Sequence, residues 1–175
     1  MKTQNTLKLI LCFCLVAVSS YMPAVDDTLT PRKAGYLYNF TKYIDWPAAA
    51  KQGNFIIGVL GTTPIYGKVL ENTKDKKVNN QTIEVKNFAT PAQITNCQLL
   101  FVPNNFENLS EIVSKLKKSS TLIVTDKVGM VNKGSIINFV WKDNKLQYEV
   151  NKVNAEKNDL KVGAQLINTA AAVIE

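Results

Sequence analysis

The sequence predicts an α/β fold: a three-layer sandwich with a mostly parallel sheet, helices on both faces, and a C-terminal antiparallel hairpin. Three observations carry this. Short, continuous apolar runs at Asn54–Leu60 (NFIIGVL), Gln98–Val102 (QLLFV) and Thr121–Thr125 (TLIVT) read as strands buried on both faces. Segments with helical spacing of apolar residues separate them, and such alternation builds parallel sheets. Ser135–Trp141 (SIINFVW) and Leu146–Asn151 (LQYEVN) flank the polar turn Lys142–Lys145 (KDNK), as a hairpin requires. No internal repeat or low-complexity tract interrupts the pattern.

Residues 1–24 read as a secretory signal peptide. Lys2 and Lys8 lie in an early polar segment, Leu9–Val18 (LILCFCLVAV) is apolar, and small residues follow at Ser19, Ser20 and Ala24. Ten apolar residues fall short of the ~20 that span a bilayer. Cys12 and Cys14 follow bulky Leu11 and Phe13, so no lipid anchor is expected. Cleavage is expected near Ser20 or Ala24, leaving residues 25–175 as one exported, soluble domain. Without Lys2 and Lys8 the basic residues fall from 21 to 19 against 14 acids, a net charge of +5. So mild an excess argues little for nucleic acid. The Lys74–Lys77 run (KDKK) reads as a solvated loop rather than a docking site.

The elements follow in order. In Lys33–Pro47 (KAGYLYNFTKYIDWP) helical spacing puts Tyr36, Leu37, Phe40, Tyr43 and Ile44 on one stripe, with Tyr38, Lys42 and Asp45 opposite. Thr30 and Pro31 suit the N-cap and first turn, and Pro47 ends the helix. So large an aromatic face either covers the sheet or is shared with a ligand or partner. Thr62, Thr63 and Pro64 open a second helix carrying Ile65, Val69 and Leu70, followed by a polar loop over Asn72–Gln81. Thr82–Phe88 alternates like a half-exposed strand, with Ile83, Val85 and Asn87 on one face. A helix near Leu109–Lys117 turns Ile112, Val113 and Leu116 inward, and Gly129 to Gly134 turn the chain. The closing helix carries Leu160, Ala164, Ile167, Ala171 and Ile174 on one stripe.

The chemical inventory is sparse. With no histidine, Ser–His–Asp and Cys–His catalysis and histidine-ligated metal sites are excluded. Gly58 and Gly61 do not make a dinucleotide fingerprint, and no phosphate-binding glycine loop is present. The turn Gly61–Thr63 at a helix start reads either as a simple cap or as a weak anion holder. No cofactor and no metal are expected, and no paired-carboxylate site is required by Asp126 and Glu149. Cys97 is the one cysteine left after the leader, so no intramolecular disulfide forms. It reads as a buried, inert thiol, with intermolecular pairing as the alternative. Ligands of open α/β sheets lie beyond the carboxyl ends of the strands. That places Thr62, Thr63, Pro103, Asn104 and Asp126 around any pocket.

An ordered set of segments carries a family resemblance: Leu37–Pro47 (LYNFTKYIDWP), Phe55–Gly61 (FIIGVLG), Cys97–Val102 (CQLLFV), Leu122–Asp126 (LIVTD), Gly134–Phe139 (GSIINF) and Tyr148–Asn151 (YEVN). The sequence resembles the YfiR family of exported periplasmic proteins over nearly all of residues 25–175. The resemblance implies a regulatory, non-catalytic protein of the periplasm. Its best-known members bind the periplasmic part of an inner-membrane diguanylate cyclase and hold it inactive, lowering cyclic di-GMP and biofilm formation. Homodimers are common among them. Some also carry disulfide pairs, which Cys97 alone does not match.

Three readings of function follow. The first is an exported regulator acting by protein–protein contact, with Tyr36, Tyr38, Tyr43, Trp46 and Trp141 as candidate contacts. The second is a periplasmic small-ligand binder using the pocket of Thr62, Thr63, Asn104 and Asp126. The third is a hydrolase working through Asp126 or Glu149 without histidine.

Overall fold

The computed structural model describes residues 29–175. The expected signal peptide and the first residues of the domain lie outside the described residues.

The first helix, α1 (Leu29–Phe40), is shorter than expected and includes Thr30 rather than being capped by it. Its end has a local cause. The Thr41 hydroxyl donates to the Tyr38 carbonyl at 2.6 Å, supplying a donor that the next helical turn would otherwise bring. The Tyr43 N–H donates to the Phe40 carbonyl at 3.1 Å, closing the turn. Ile44–Asp45 then leaves the helix as β1 and pairs antiparallel with β9 (Lys161–Val162). Next to β9, the Gly163 N–H donates to the Tyr43 carbonyl at 2.7 Å. A Cβ at Gly163 would stand 2.8 Å from that oxygen, so only glycine lets the two segments approach this closely.

The main sheet has eight strands. Five form its parallel centre: β4 (Gln81–Phe88), β2 (Phe55–Leu60), β5 (Leu99–Val102), β6 (Leu122–Thr125) and β7 (Ile137–Lys142), in that spatial order. β8 (Lys145–Asn151) joins β7 antiparallel, and β10 (Ala172–Ile174) extends β8 in parallel. At the other end β3 (Lys77–Val78) pairs antiparallel with β4. The fold class expected from the apolar runs is therefore the one observed.

Alternation along the strands divides the core in two. Ile57, Val59, Leu99, Phe101, Leu122 and Val124 face α1, α2 (Ile65–Thr73), α4 (Lys152–Lys157) and α5 (Ala164–Thr169). Leu60, Leu100, Val102 and Ile123 face α3 (Leu109–Lys115) through Leu109 and Ile112, together with Leu116 just beyond it. Each fully buried aliphatic or phenyl side chain contributes roughly 1.5–3 kcal/mol. A core of this size holds the sheet without covalent staples.

Four expectations are corrected. Leu70 points outward at 42% exposure, because Ile65, Val69 and Thr73 at four-residue spacing form the buried stripe of α2. The segment Asn72–Gln81 is not all loop, since it contains the end of α2 and the β3 strand of a tight hairpin. The β7–β8 turn is only Asp143–Asn144, both at positive φ (51° and 55°), with Lys142 and Lys145 already paired. Short polar residues tolerate this left-handed geometry, which suits the strand twist. The single closing helix is instead α4, β9, α5 and β10. Asp159 at φ 57° stops helical continuation, and the β8 edge recruits β10, with Ala171 N–H donating to the Tyr148 carbonyl at 2.8 Å.

Candidate functional site

α1 is clamped to the β7–β8 hairpin by an aromatic cluster. The Phe40 ring centroid lies 5.7 Å from Tyr36, 5.8 Å from Phe139 and 5.0 Å from Tyr148. Tyr36 also meets Phe139 and Tyr148 edge-on at 5.9 and 5.8 Å. The Tyr148 hydroxyl donates to the Leu166 carbonyl and bonds the Thr169 hydroxyl, tying α5 to the same cluster.

This clamp carries the N-terminal part of α1 over the carboxyl ends of β2, β5 and β6. There a cleft of about 300 Å³ is lined by Thr62 and Thr63 after β2, Asn104 and Asn105 after β5, and Asp126 after β6. All four pocket residues expected from the strand-end rule are brought together, with Pro103 beside them. Thr30 and Lys33 of α1 complete the wall. Those two were missed, because their place depends on how α1 crosses the sheet and not on any local pattern.

Lys33 Nζ lies 2.6 Å from Asp126 Oδ2, with both side chains about one-fifth exposed or less (17% and 20%). Burial nevertheless holds the Asp126 carboxyl above its ordinary pKa, outweighing the opposing pull of the Lys33 ammonium. Beneath the loop, the fully buried Asn138 fixes the backbone around Asp126. Its Oδ1 accepts from the Thr125 hydroxyl at 2.7 Å and the Lys127 N–H at 3.3 Å, and its Nδ2 donates to Glu149 at 3.3 Å. Glu149 thus serves Asn138, while Asp126 serves Lys33. An asparagine inside the apolar SIINFVW run was the available signal for this network.

The five aromatic residues expected at a partner surface separate by exposure. Trp141 near the hairpin tip is 56% exposed and Tyr43 is 41% exposed. Tyr36 is half-buried in the cluster just described. Tyr38, also half-buried, lies under the ammonium groups of Lys42 and Lys76, 4.5 and 4.6 Å from its centroid. Trp46 is a correction: at 4% exposure it belongs to the core, perpendicular to Phe55 at 5.0 Å, with Nε1 donating to the Gln98 carbonyl at 3.3 Å. β1 turns it inward, where a helix continued to Pro47 would have left it at the surface. Cys97 is buried as expected, and burial pushes its thiol pKa up to about 12.

Among the described residues, no group of three or more His, Cys, Asp or Glu side chains could hold a metal ion, and no helix is long and apolar enough to cross a membrane.

No curated protein matches the chain. Among solved structures, the ABC domain in complex with L-Trp from Streptococcus pneumonia is similar, with a TM-score of 0.56 and 13% identity. The likeness covers 81% of this chain and 60% of that one, and it speaks to the fold alone. The family model described as YfiR/HmsC-like (DUF4154) matches residues 31–171, and by that match the chain belongs to the YfiR/HmsC-like family.

Proposed function

We propose that this chain is an exported periplasmic regulator that binds the periplasmic part of an inner-membrane sensor. The sensor is a diguanylate cyclase held inactive by the contact, so that the regulator lowers cyclic di-GMP and restrains biofilm formation. The observation that carries this reading is membership of the YfiR/HmsC-like family, whose members regulate rather than catalyse. The leader-like N-terminus and the lack of histidine agree with it. Two exposed aromatic side chains, Trp141 and Tyr43, are the contacts we favour. Aromatic anchors of this kind dominate interface energies, at roughly 2 kcal/mol or more per buried tryptophan, or about thirtyfold in affinity.

Co-purification from detergent-solubilised membranes tests the contact. Wild-type chain is expected to retain an inner-membrane cyclase, and the Trp141→Ser, Tyr43→Ser double variant to lose it. A folded double variant that retains the partner equally well would remove these residues from the interface.

A second reading, a small-ligand binder, is favoured by one observation: Thr62, Thr63, Asn104 and Asp126 converge with Lys33 on one cleft. A thermal-shift screen with amino acids, sugars and anions tests it, since a ligand at a hundred times its Kd stabilises by about 2.7 kcal/mol. Absence of any shift would count against the reading.

A further inference from the structure

The cleft over the carboxyl ends of β2, β5 and β6 is balanced in charge. Among the described residues that line it, only Lys33 and Asp126 are charged, with opposite signs, and they meet each other at 2.6 Å. The larger concavity beside β4 differs, with Lys74, Lys76 and Lys77 against Glu71 and Asp75. An ion entering the cleft therefore meets no net attraction. A carboxylate or phosphate would have to share Lys33 with Asp126 and lie against the Asp126 carboxyl, and a cation would meet the Lys33 ammonium in the same way. Both side chains are about four-fifths buried, so solvent screens that repulsion only in part. A zwitterion gains two ion pairs only by breaking the one already present and shedding its own water, which leaves little net gain.

What the cleft offers instead is a mixture of donors and acceptors. Asp126 gives Oδ2 to Lys33, which among the described residues leaves Oδ1 to accept. The Lys33 ammonium has further N–H groups beyond the one it uses there. Thr63 Oγ1 accepts from the Ile65 N–H at 3.4 Å, so its own proton is left to donate. Thr62 and Asn104, both exposed, each carry a donor and an acceptor. A hydroxyl likewise both donates and accepts. Two neighbouring hydroxyls on one ligand can therefore straddle the ion pair without parting it, one donating to Asp126 Oδ1 and the other accepting from Lys33. Pro64 and Pro103 add apolar wall for the C–H face of a ring. The volume of about 300 Å³ is at the small end for ligand pockets (~300–1,000 Å³), which suits one ring rather than a chain.

We propose that this cleft takes an uncharged polyhydroxy ring, a monosaccharide or cyclic polyol, held by the Lys33–Asp126 pair across two adjacent hydroxyls and by Thr62, Thr63 and Asn104 around them. The proposal rests on the small-ligand reading of the cleft and narrows it to one chemical class. Lys33 comes from α1 and the other groups from the loops after β2, β5 and β6, so the ligand joins the helix to the sheet.

An NMR titration of the ¹⁵N-labelled product of the whole gene tests it. Glucose, galactose, ribose and myo-inositol are the neutral probes, serine and glutamate the amino acids, phosphate and citrate the anions. At least one neutral probe is expected to saturate, shifting the amides of Thr62, Thr63, Asn104 and Lys127, with a Kd unchanged between about 20 and about 500 mM NaCl. Asn104→Ala, at an exposed loop position, is expected to weaken that probe about tenfold, the loss of one or two hydrogen bonds. Asp126→Asn leaves Lys33 uncompensated; it is expected to weaken the neutral probe at least as much and to bind phosphate in a salt-dependent way. Circular dichroism verifies that both variants are folded. Saturation by amino acids or anions alone would overturn the proposed class and leave the small-ligand reading standing, whereas no response to any probe would overturn both. A neutral probe that shifts amides elsewhere, or that binds both folded variants as tightly as wild type, would overturn the site.

Discussion

Phe40 and Tyr36 hold α1 to the hairpin, and Phe40→Leu measures the share of the fully buried Phe40 ring. Leucine keeps most of the buried apolar area, so the variant isolates the ring contacts with Tyr36, Phe139 and Tyr148 at 5.0 to 5.8 Å. Such pairs contribute ~0.5–1.5 kcal/mol each beyond area burial. Because the three share one ring they do not add fully, and a loss of about 2–3 kcal/mol is expected. Phe40→Ala, which also opens a cavity at a fully buried position, is expected to cost ~3–5 kcal/mol. Against a total stability of ~5–15 kcal/mol, either loss is large. Urea unfolding at fixed pH reads it as a lower midpoint at unchanged slope. A double-mutant cycle with Phe139→Leu is expected to give a coupling of ~0.5–1.5 kcal/mol. A loss below ~0.5 kcal/mol for Phe40→Leu, with no coupling, would refute the view that ring contacts anchor α1.

Two further outcomes follow from buried titratable groups. Asp126 has its carboxyl held above the ordinary value, so the native state binds this proton more tightly than the unfolded chain does. Its contribution is fully present below the unfolded value of 3.8 and is lost as pH rises through the folded one. The stability of Asp126→Asn relative to wild type is therefore expected to rise with pH across that window and then level off, in urea titrations at a series of pH values. A fall with rising pH would mean that Lys33 dominates. With its pKa at about 12, the buried Cys97 thiol is expected to resist maleimide at mildly alkaline pH in native protein and to react readily in urea. Ready labelling of native protein would place the thiol at the surface.

Where burial is dictated by unbroken apolar runs, the fold was legible. NFIIGVL, QLLFV and TLIVT contain the central strands because the apolar residues at their cores, Phe55–Leu60, Leu99–Val102 and Leu122–Val124, leave neither face of the strand suited to water. The strand-end rule then located Thr62, Thr63, Asn104 and Asp126, since parallel strands put their following loops at one end of the sheet. What failed was periodicity without context. The stripe Tyr36–Ile44 matched a helix, yet Thr41 bonds back to Tyr38 and Ile44 pairs with Val162, a partner 118 residues away. The Ala-rich C-terminus likewise matched a helix, but Asp159, Gly163 and the open β8 edge divide it. Long-range pairing leaves no local trace, and that also hid Lys33 as the partner of Asp126.

The measurement closest to the central claim is cellular cyclic di-GMP in a clean deletion strain, complemented by the gene with and without residues 1–24. A rise on deletion that only the leader-bearing gene reverses is the predicted result, and the Trp141→Ser, Tyr43→Ser variant should fail to reverse it. An unchanged level, with the wild-type protein verified in the periplasm, would contradict restraint of a diguanylate cyclase.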